Sequence, residues 1–152
     1  MNNSCKLVKT IEQYNEDYVY FCEPIKNNIM NDGNFVRIIY STPLVVLNGI
    51  YIQINISYTT IDKYYNKFKC LFDVNQYKDM IEMLRQIEEG ILKKVNINKT
   101  PQYKLYEQLK NGNIKVFSET FEKINSTFLL KIAGIWETEY EYGLTYKFMN
   151  IN

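Results

Sequence analysis

The sequence predicts a mainly β protein of the α+β class, with one or two helices. Short runs rich in β-branched and aromatic residues recur along the chain, and apolar and polar residues alternate most clearly over residues 50–57. One stretch near the middle instead repeats its apolar residues with the helical period. The chain has 152 residues, 46% of them hydrophobic and 23% charged, which suits one folded domain and argues against disorder. We therefore expect a single domain over residues 1–152.

The clearest strand follows the Asn48-Gly49 dipeptide, which predicts a hairpin turn. In Ile50–Ser57 every second residue is isoleucine, so one face of this strand is predicted to face a core. The same alternation in Lys67–Phe72 places Phe68, Cys70 and Phe72 on one face. Further strands are predicted at residues 17–22, 35–40, 44–47 and 114–117, and two more within residues 127–148, joined by an acidic turn.

The helical period appears in Met80, Leu84, Ile87 and Ile91, which predicts an amphipathic helix over residues 75–94. Thr100-Pro101 predicts the start of a second, short helix that runs to Leu109. Strands, a helix in mid-sequence and then more strands are typical of a small barrel. The leading candidate is an OB-fold-like five-stranded Greek-key barrel with a helix between strands 3 and 4.

The composition excludes several kinds of chemistry. The chain has no histidine, which removes the commonest general base and metal ligand. Cys5, Cys22 and Cys70 form no Cys-x-x-Cys pair, which favours reduced thiols over a disulfide frame or a zinc site. No apolar run approaches the roughly 20 residues of a membrane span, and the N-terminus lacks the pattern of a signal peptide. We expect a soluble intracellular protein that does not bind membranes.

Alternation along the strands places cations, aromatic rings and amides on the faces that point away from the core. Positive charge suits phosphates, and flat side chains suit exposed bases, so this mixture favours binding of a single nucleic-acid strand. The predicted nucleic-acid-binding residues are Arg37, Tyr51, Gln53, Lys67, Lys69, Lys115, Phe117, Lys131 and Lys147. The alternative is an ordinary solvated face, because Lys outnumbers Arg sixteen to two, a bias expected from AT-rich codons.

Two features near the C-terminus have alternative interpretations. Trp136 shares the alternation of Phe128, Leu130 and Ile132, which favours a core position over a role in stacking on bases. Glu137, Glu139 and Glu141 would suit a divalent metal, but a solvated turn is the better interpretation. We predict no metal site, no cofactor and no catalytic residue.

Two C-terminal blocks, Leu130-Lys-Ile-Ala-Gly-Ile-Trp-Glu137 and Tyr142-Gly-Leu-Thr-Tyr-Lys-Phe148, resemble the single-stranded-DNA-binding proteins of large eukaryotic DNA viruses, which are related to those of short-tailed phages. Ile87–Leu92 and Tyr103–Lys115 resemble the helix and the following segment of the viral members. The resemblance implies an OB-fold and cooperative coating of DNA intermediates in replication and repair. Phage members end in an acidic tail that recruits partners, whereas the closing run Lys147-Phe-Met-Asn-Ile-Asn152 is not acidic, so we expect no recruitment of partners by such a tail.

The predicted function is therefore non-catalytic binding of single-stranded DNA. Replication proteins and a second copy of the chain, forming a homodimer, are further candidate partners. If the resemblance holds, the protein works at the viral replication site in the host cell. The alternative is a protein-interaction module that uses the same tyrosine-rich β face, and a third hypothesis is a nuclease that holds metal with carboxylates.

Overall fold

A computed structural model of the chain describes residues 8–27, 33–117 and 126–151. These residues form eleven β-strands and two α-helices. The strands before the first helix are β1 (Val19–Phe21), β2 (Ile25–Asn27), β3 (Gly33–Ser41), β4 (Val46–Leu47), β5 (Ile50–Asn55), β6 (Thr60–Tyr64) and β7 (Lys67–Leu71). After them come α1 (Lys78–Val95), β8 (Thr100–Gln102), α2 (Lys104–Lys110), β9 (Asn113–Phe117), β10 (Thr127–Glu137) and β11 (Glu141–Asn150).

All eleven strands belong to one mixed sheet, whose main path runs β1-β3-β10-β11-β9-β7-β6. β2 and β4 also pair with β3, β5 pairs with β10, and β8 pairs with β11. Most pairs are antiparallel, but β11 runs parallel to β8 and β9. The predicted mainly β, α+β class is confirmed. The number of strands differs from the predicted five, and α1 falls between the seventh and eighth strands of the described chain.

One face of the sheet packs against α1 and α2 and forms the hydrophobic core. The alternation predicted for β5 is confirmed, because Ile50, Ile52, Ile54 and Ile56 are all buried. Tyr142 of β11 donates a hydrogen bond from its hydroxyl to the Leu92 carbonyl of α1, at 3.2 Å. We call this side of the sheet the inner face and the opposite side the outer face.

Helix α1 is amphipathic, as its spacing predicts. Ile81, Leu84, Ile87, Ile91 and Leu92 are buried. The opposite side carries a chain of ion pairs that links Glu82, Arg85, Glu89 and Lys93 at 2.6–2.8 Å. Asn96 caps the C-terminal end of the helix with a φ of 55°, a left-handed conformation that asparagine tolerates better than most residues.

Glu88 is the exception on the buried side of α1, because its carboxyl group is fully buried. Its two oxygens accept hydrogen bonds from the backbone N–H groups of Leu105 at 3.0 Å and Tyr106 at 2.9 Å. These N–H groups lie in the first turn of α2, where they have no partner within the helix. Glu88 therefore caps α2 and fastens it to α1.

Two predicted local structures differ in the structure. Thr100, Pro101 and Gln102 form β8 instead of the start of a helix, because they pair with β11; proline is compatible with such an edge strand. Asn48-Gly49 forms a turn in which Gly49 has a φ of 123°, but it does not close a hairpin. β4 pairs with β3 and β5 pairs with β10, so the two strands flanking this turn have different neighbours.

The prediction that Trp136 lies in the core is wrong, and a β-bulge is the reason. The pairing of β10 with β11 shifts between Ile132 and Gly134, so Ala133 is an extra residue in β10. One extra residue reverses the alternation of every side chain beyond it. Ile135 therefore occupies the inner face and is fully buried, whereas Trp136 is half-buried on the outer face.

Gly134 is needed beside the bulge, because a methyl group there would collide with the Val36 carbonyl oxygen and come within 2.6 Å of the Phe35 ring. We expect Gly134→Ala to lower the free energy of unfolding by about 2 kcal/mol, typical of overpacking at a site that cannot relax. Urea denaturation would measure the change. Ala133→Gly, at the bulge itself, is the control and should lose less than about 1 kcal/mol; equal losses would contradict a steric cause at Gly134.

Candidate nucleic-acid interface

Each of the nine predicted nucleic-acid-binding residues has at least one buried neighbour in its strand, and all nine lie on the outer face. In β7, for example, the buried Phe68 and Cys70 alternate with Lys67 and Lys69, and in β9 the buried Ile114 and Val116 flank Lys115. Alternation in the sequence already predicted these orientations. The pairing of the strands adds how the residues lie relative to one another.

Four lysines from four adjacent strands form a line across the outer face, which we call the lysine row: Lys69 of β7, Lys115 of β9, Lys147 of β11 and Lys131 of β10. Lys69 pairs directly with Lys115, and Lys131 pairs directly with Lys147. Val116 pairs in parallel with Phe148, which places the residues before them, Lys115 and Lys147, side by side. With strands about 4.8 Å apart, the row spans about 14 Å.

The ends of the lysine row carry different side chains. Tyr51 of β5 pairs with Lys131 at one end, and the Lys131 ammonium lies 5.5 Å from the centre of the Tyr51 ring. Asp62 of β6 pairs with Lys69 at the other end, so it places one carboxylate on this face. Among the described residues the ion pairs involve Arg85, Lys93 and Lys99 and none of the row's lysines.

A second row lies two residues along each strand, at about 7 Å from the lysine row. Its members, from β7 to β5, are Lys67, Phe117, Met149, Leu129 and Gln53. Phe117 is 65% exposed, and the Lys67 ammonium lies 5.3 Å from the centre of its ring. Leu129 and Met149 are half-buried. The second row is therefore mainly apolar, and its two central members, Met149 and Leu129, are not among the residues predicted from the sequence.

Arg37 lies on the same face but outside both rows. It pairs with Gly134, which in turn pairs with Thr145, on the far side of the lysine row from Phe117. Two residue pairs further along, Trp136 pairs with Phe35 and with Gly143, and its ring covers Gly143 so closely that an added Cβ would lie 2.7 Å from it. The structure thus brings seven of the nine predicted residues into two adjacent rows, with Tyr51 at the end of the lysine row and Arg37 beside both rows.

Several other tyrosines are structural and do not belong to this face. Tyr40 is buried on the inner side of β3, stacked with Tyr14 and in edge contact with Tyr18. Its hydroxyl oxygen accepts a hydrogen bond from the Asn15 N–H, at 3.0 Å. Tyr146 donates a hydrogen bond from its hydroxyl to Gln108 of α2, at 2.7 Å. The number of tyrosines therefore says little about binding, whereas their position does.

The three glutamates of the predicted acidic turn lie in different surroundings. Glu137 forms an ion pair with Lys99 at 2.6 Å and is mostly covered, whereas Glu139 and Glu141 are exposed. The described part of the chain brings together no group of three or more His, Cys, Asp or Glu side chains that would hold a metal ion. Neither helix in that part is long and apolar enough to cross a membrane.

The chain was compared with protein-family models, with curated proteins and with solved structures, and none of the three comparisons found a match.

Proposed function

We propose that the protein binds single-stranded DNA on the outer face of its sheet and catalyses no reaction. The observation that carries this proposal is the pairing of like charges in the lysine row. Like charges directly opposite each other across strands destabilise a sheet. Lys69 and Lys115 form one such pair and Lys131 and Lys147 another. An anionic ligand would turn this unfavourable arrangement into a favourable one.

The arrangement of the two rows favours a nucleic acid over a small anion. Lysines spread along about 14 Å match several successive phosphates, not one. Beside them, the second row offers the exposed Phe117 ring and an apolar centre at the distance where bases extend from a backbone. Tyr51 adds a ring at the end of the lysine row. Stacking of a base on such a ring contributes about 1–3 kcal/mol.

A single strand fits this surface better than a duplex. The rows run across a sheet, and the stacking positions need unpaired bases, which a duplex hides within its helix. The protein has a net charge of +1, so binding depends on the local concentration of lysines on one face and not on the charge of the whole molecule.

We also retain as proposals the OB-fold-like barrel and the relationship to viral single-stranded-DNA-binding proteins. β10 supports a barrel, because its first half pairs with β5 and its second half with β3 on either side of a bulge. Bulges of this kind bend a strand so that it serves two parts of a closing sheet. On this proposal the protein coats replication intermediates, and replication proteins and a second copy of the chain are its candidate partners.

The test is fluorescence anisotropy of a labelled oligo-dT at two salt concentrations, with a matched duplex as control. We expect binding to the single strand that weakens as salt rises. The log–log slope should be about −3 if each lysine of the row neutralises one phosphate, since each contributes about −0.7. No binding at low salt would overturn the proposal and would favour the protein-interaction alternative. Turnover of the DNA on addition of Mg²⁺ or Mn²⁺ would overturn its non-catalytic part.

A further inference from the structure

Tyr65 is the most exposed of the large apolar and aromatic side chains in the described chain, at 94%. It is the first of the two residues, Tyr65 and Asn66, that connect β6 to β7, since Tyr64 pairs directly with Lys67. Its ring therefore stands in solvent at the tip of a tight hairpin. An isolated tyrosine in this position contributes nothing to the core.

The backbone of Tyr65 is strained as well. Its φ of 56° is left-handed, and apart from glycine only Asn96 shares a positive φ among the described residues. Two-residue hairpins normally place glycine or asparagine at such a position, because a bulky side chain there is disfavoured. Asparagine occurs in this turn, but at the next position, Asn66. The chain thus carries a tyrosine where a smaller residue would suit the fold better.

The hairpin tip also lies next to the proposed binding surface. Lys67, which follows the turn, belongs to the second row, and its ammonium lies over the Phe117 ring. Lys67 and Phe117 are a directly opposed pair. Tyr65 is therefore two residues along the chain from Lys67, which pairs with the nearest stacking ring of the surface, Phe117. Residues held in strained conformations at a cost to stability are characteristic of ligand-binding positions.

We propose that Tyr65 is a stacking residue that extends the single-strand site beyond the β7 end of the two rows. One base stacks on Phe117, the next base stacks on Tyr65, and Lys67 between them contacts the intervening phosphate. This inference rests on the proposed function and adds to it one residue, one further nucleotide and the edge of the sheet where the strand enters or leaves.

The experiment compares Tyr65→Asn, Tyr65→Phe and wild type in oligo-dT anisotropy and in urea denaturation. Asparagine accepts the left-handed backbone but removes the ring. We expect Tyr65→Asn to weaken binding by about tenfold, with a urea midpoint equal to or above that of wild type. Tyr65→Phe should bind like wild type. Tyr140→Asn is the matched control, because Tyr140 is 72% exposed in the turn between β10 and β11, at the opposite end of the sheet.

A series of oligo-dT lengths, from about 4 to about 16 nucleotides, adds a second measurement. The loss of affinity in Tyr65→Asn should appear only above the length at which the strand reaches the hairpin. If wild type binds the DNA and Tyr65→Asn binds it equally well at every length, the role of Tyr65 is overturned, but the proposed function is not. The same conclusion would follow if Tyr140→Asn weakened binding as much. Wild type that does not bind at all would overturn both this inference and the proposed function.

Discussion

The double variant Lys115→Glu/Lys147→Glu is expected to bind single-stranded DNA at low salt about a hundredfold more weakly than wild type, or worse. It removes two of the proposed phosphate contacts from the middle of the lysine row and adds two repulsive charges. The log–log slope against salt should also become shallower, by about 1.4, because about 0.7 is lost with each phosphate contact. Anisotropy with oligo-dT at several salt concentrations measures both quantities.

The same double variant should be at least as stable as wild type, which makes the test specific. Lys115 pairs directly with Lys69, and Lys147 pairs directly with Lys131. Each substitution therefore replaces a pair of like charges by a pair of opposite charges, which favours the folded sheet by a fraction of a kcal/mol to about 1 kcal/mol. A rise in the urea midpoint together with a loss of binding is the signature of residues placed for a ligand.

The matched control is Lys78→Glu/Lys110→Glu, which changes the net charge by the same amount. Both lysines are exposed and lie on the helices, away from the outer face. This control should lose little affinity if binding is local to the sheet. Equal losses in the two double variants would show that only the overall charge matters, and the lysine row would then have no special role.

The sequence predicts which side chains of a strand face the core more readily than it predicts which other strands pair with that strand. Alternation in residues 50–57 and 67–72 predicts which side chains are buried, because the side-chain period of a strand does not depend on what it pairs with. The helical period predicts α1 for the same reason, and the first helical residue is only three positions later than expected. The burial of side chains within a strand and the position of a helix are local properties, so local sequence patterns predict them.

Local patterns in the sequence do not predict which distant segments pair with each other. The lysine row depends on β7 lying beside β9 and on β9 running parallel to β11, and no local pattern encodes either choice. No alternation pattern predicts the bulge at Ala133 either, yet the bulge moves the Trp136 side chain to the opposite face of the sheet. The only local hint is the neighbouring glycine, Gly134, since glycine within a strand often marks a bulge or a close approach of two backbones. The candidate residues were therefore predictable, and their arrangement in rows was not.

Amino-acid composition alone does not single out Tyr65. A tyrosine in a chain with fourteen tyrosines attracts no attention. Its significance comes from exposure and a left-handed backbone, which are properties of the fold. A Tyr-Asn dipeptide between two short strands is a weak turn signal, because it lacks the glycine that normally marks a two-residue hairpin.

Stability should fall as pH rises from about 5 to about 7, and Glu88 is the expected cause. Burial raises the pKa of the Glu88 carboxyl to about 7, an effect that the backbone N–H groups of Tyr106 and Leu105 partly offset and the nearby charge of Glu107 reinforces. Between the ordinary pKa of a glutamate and this value, the folded protein holds a proton that the unfolded chain has lost. Stability declines with pH wherever the folded state binds more protons.

The decline attributable to Glu88 is about 3 kcal/mol, since each unit of pKa shift corresponds to about 1.4 kcal/mol. It should be complete above pH 8, where the carboxyl is ionised in both states. The chain has no histidine, so few other side chains titrate in this range. Glu82 and Glu89 have pKa values below the ordinary one because of their ion pairs, so their contribution is lost only under more acidic conditions.

Glu88→Gln should remove this pH dependence, and urea denaturation at pH 5, 6, 7 and 8 would measure it. The amide oxygen still accepts one of the two N–H groups at the start of α2, but the amide nitrogen accepts neither. We therefore expect the variant to be less stable than wild type at pH 5 by about 1–3 kcal/mol, with the difference shrinking toward pH 8 as wild type acquires its buried charge. Glu139→Gln, at an exposed position in the turn after β10, is the control and should follow wild type.

If the curves of wild type and Glu88→Gln run parallel between pH 5 and pH 8, the buried carboxyl does not hold its proton in this range. The link between α1 and α2 would then be an ordinary charged helix cap.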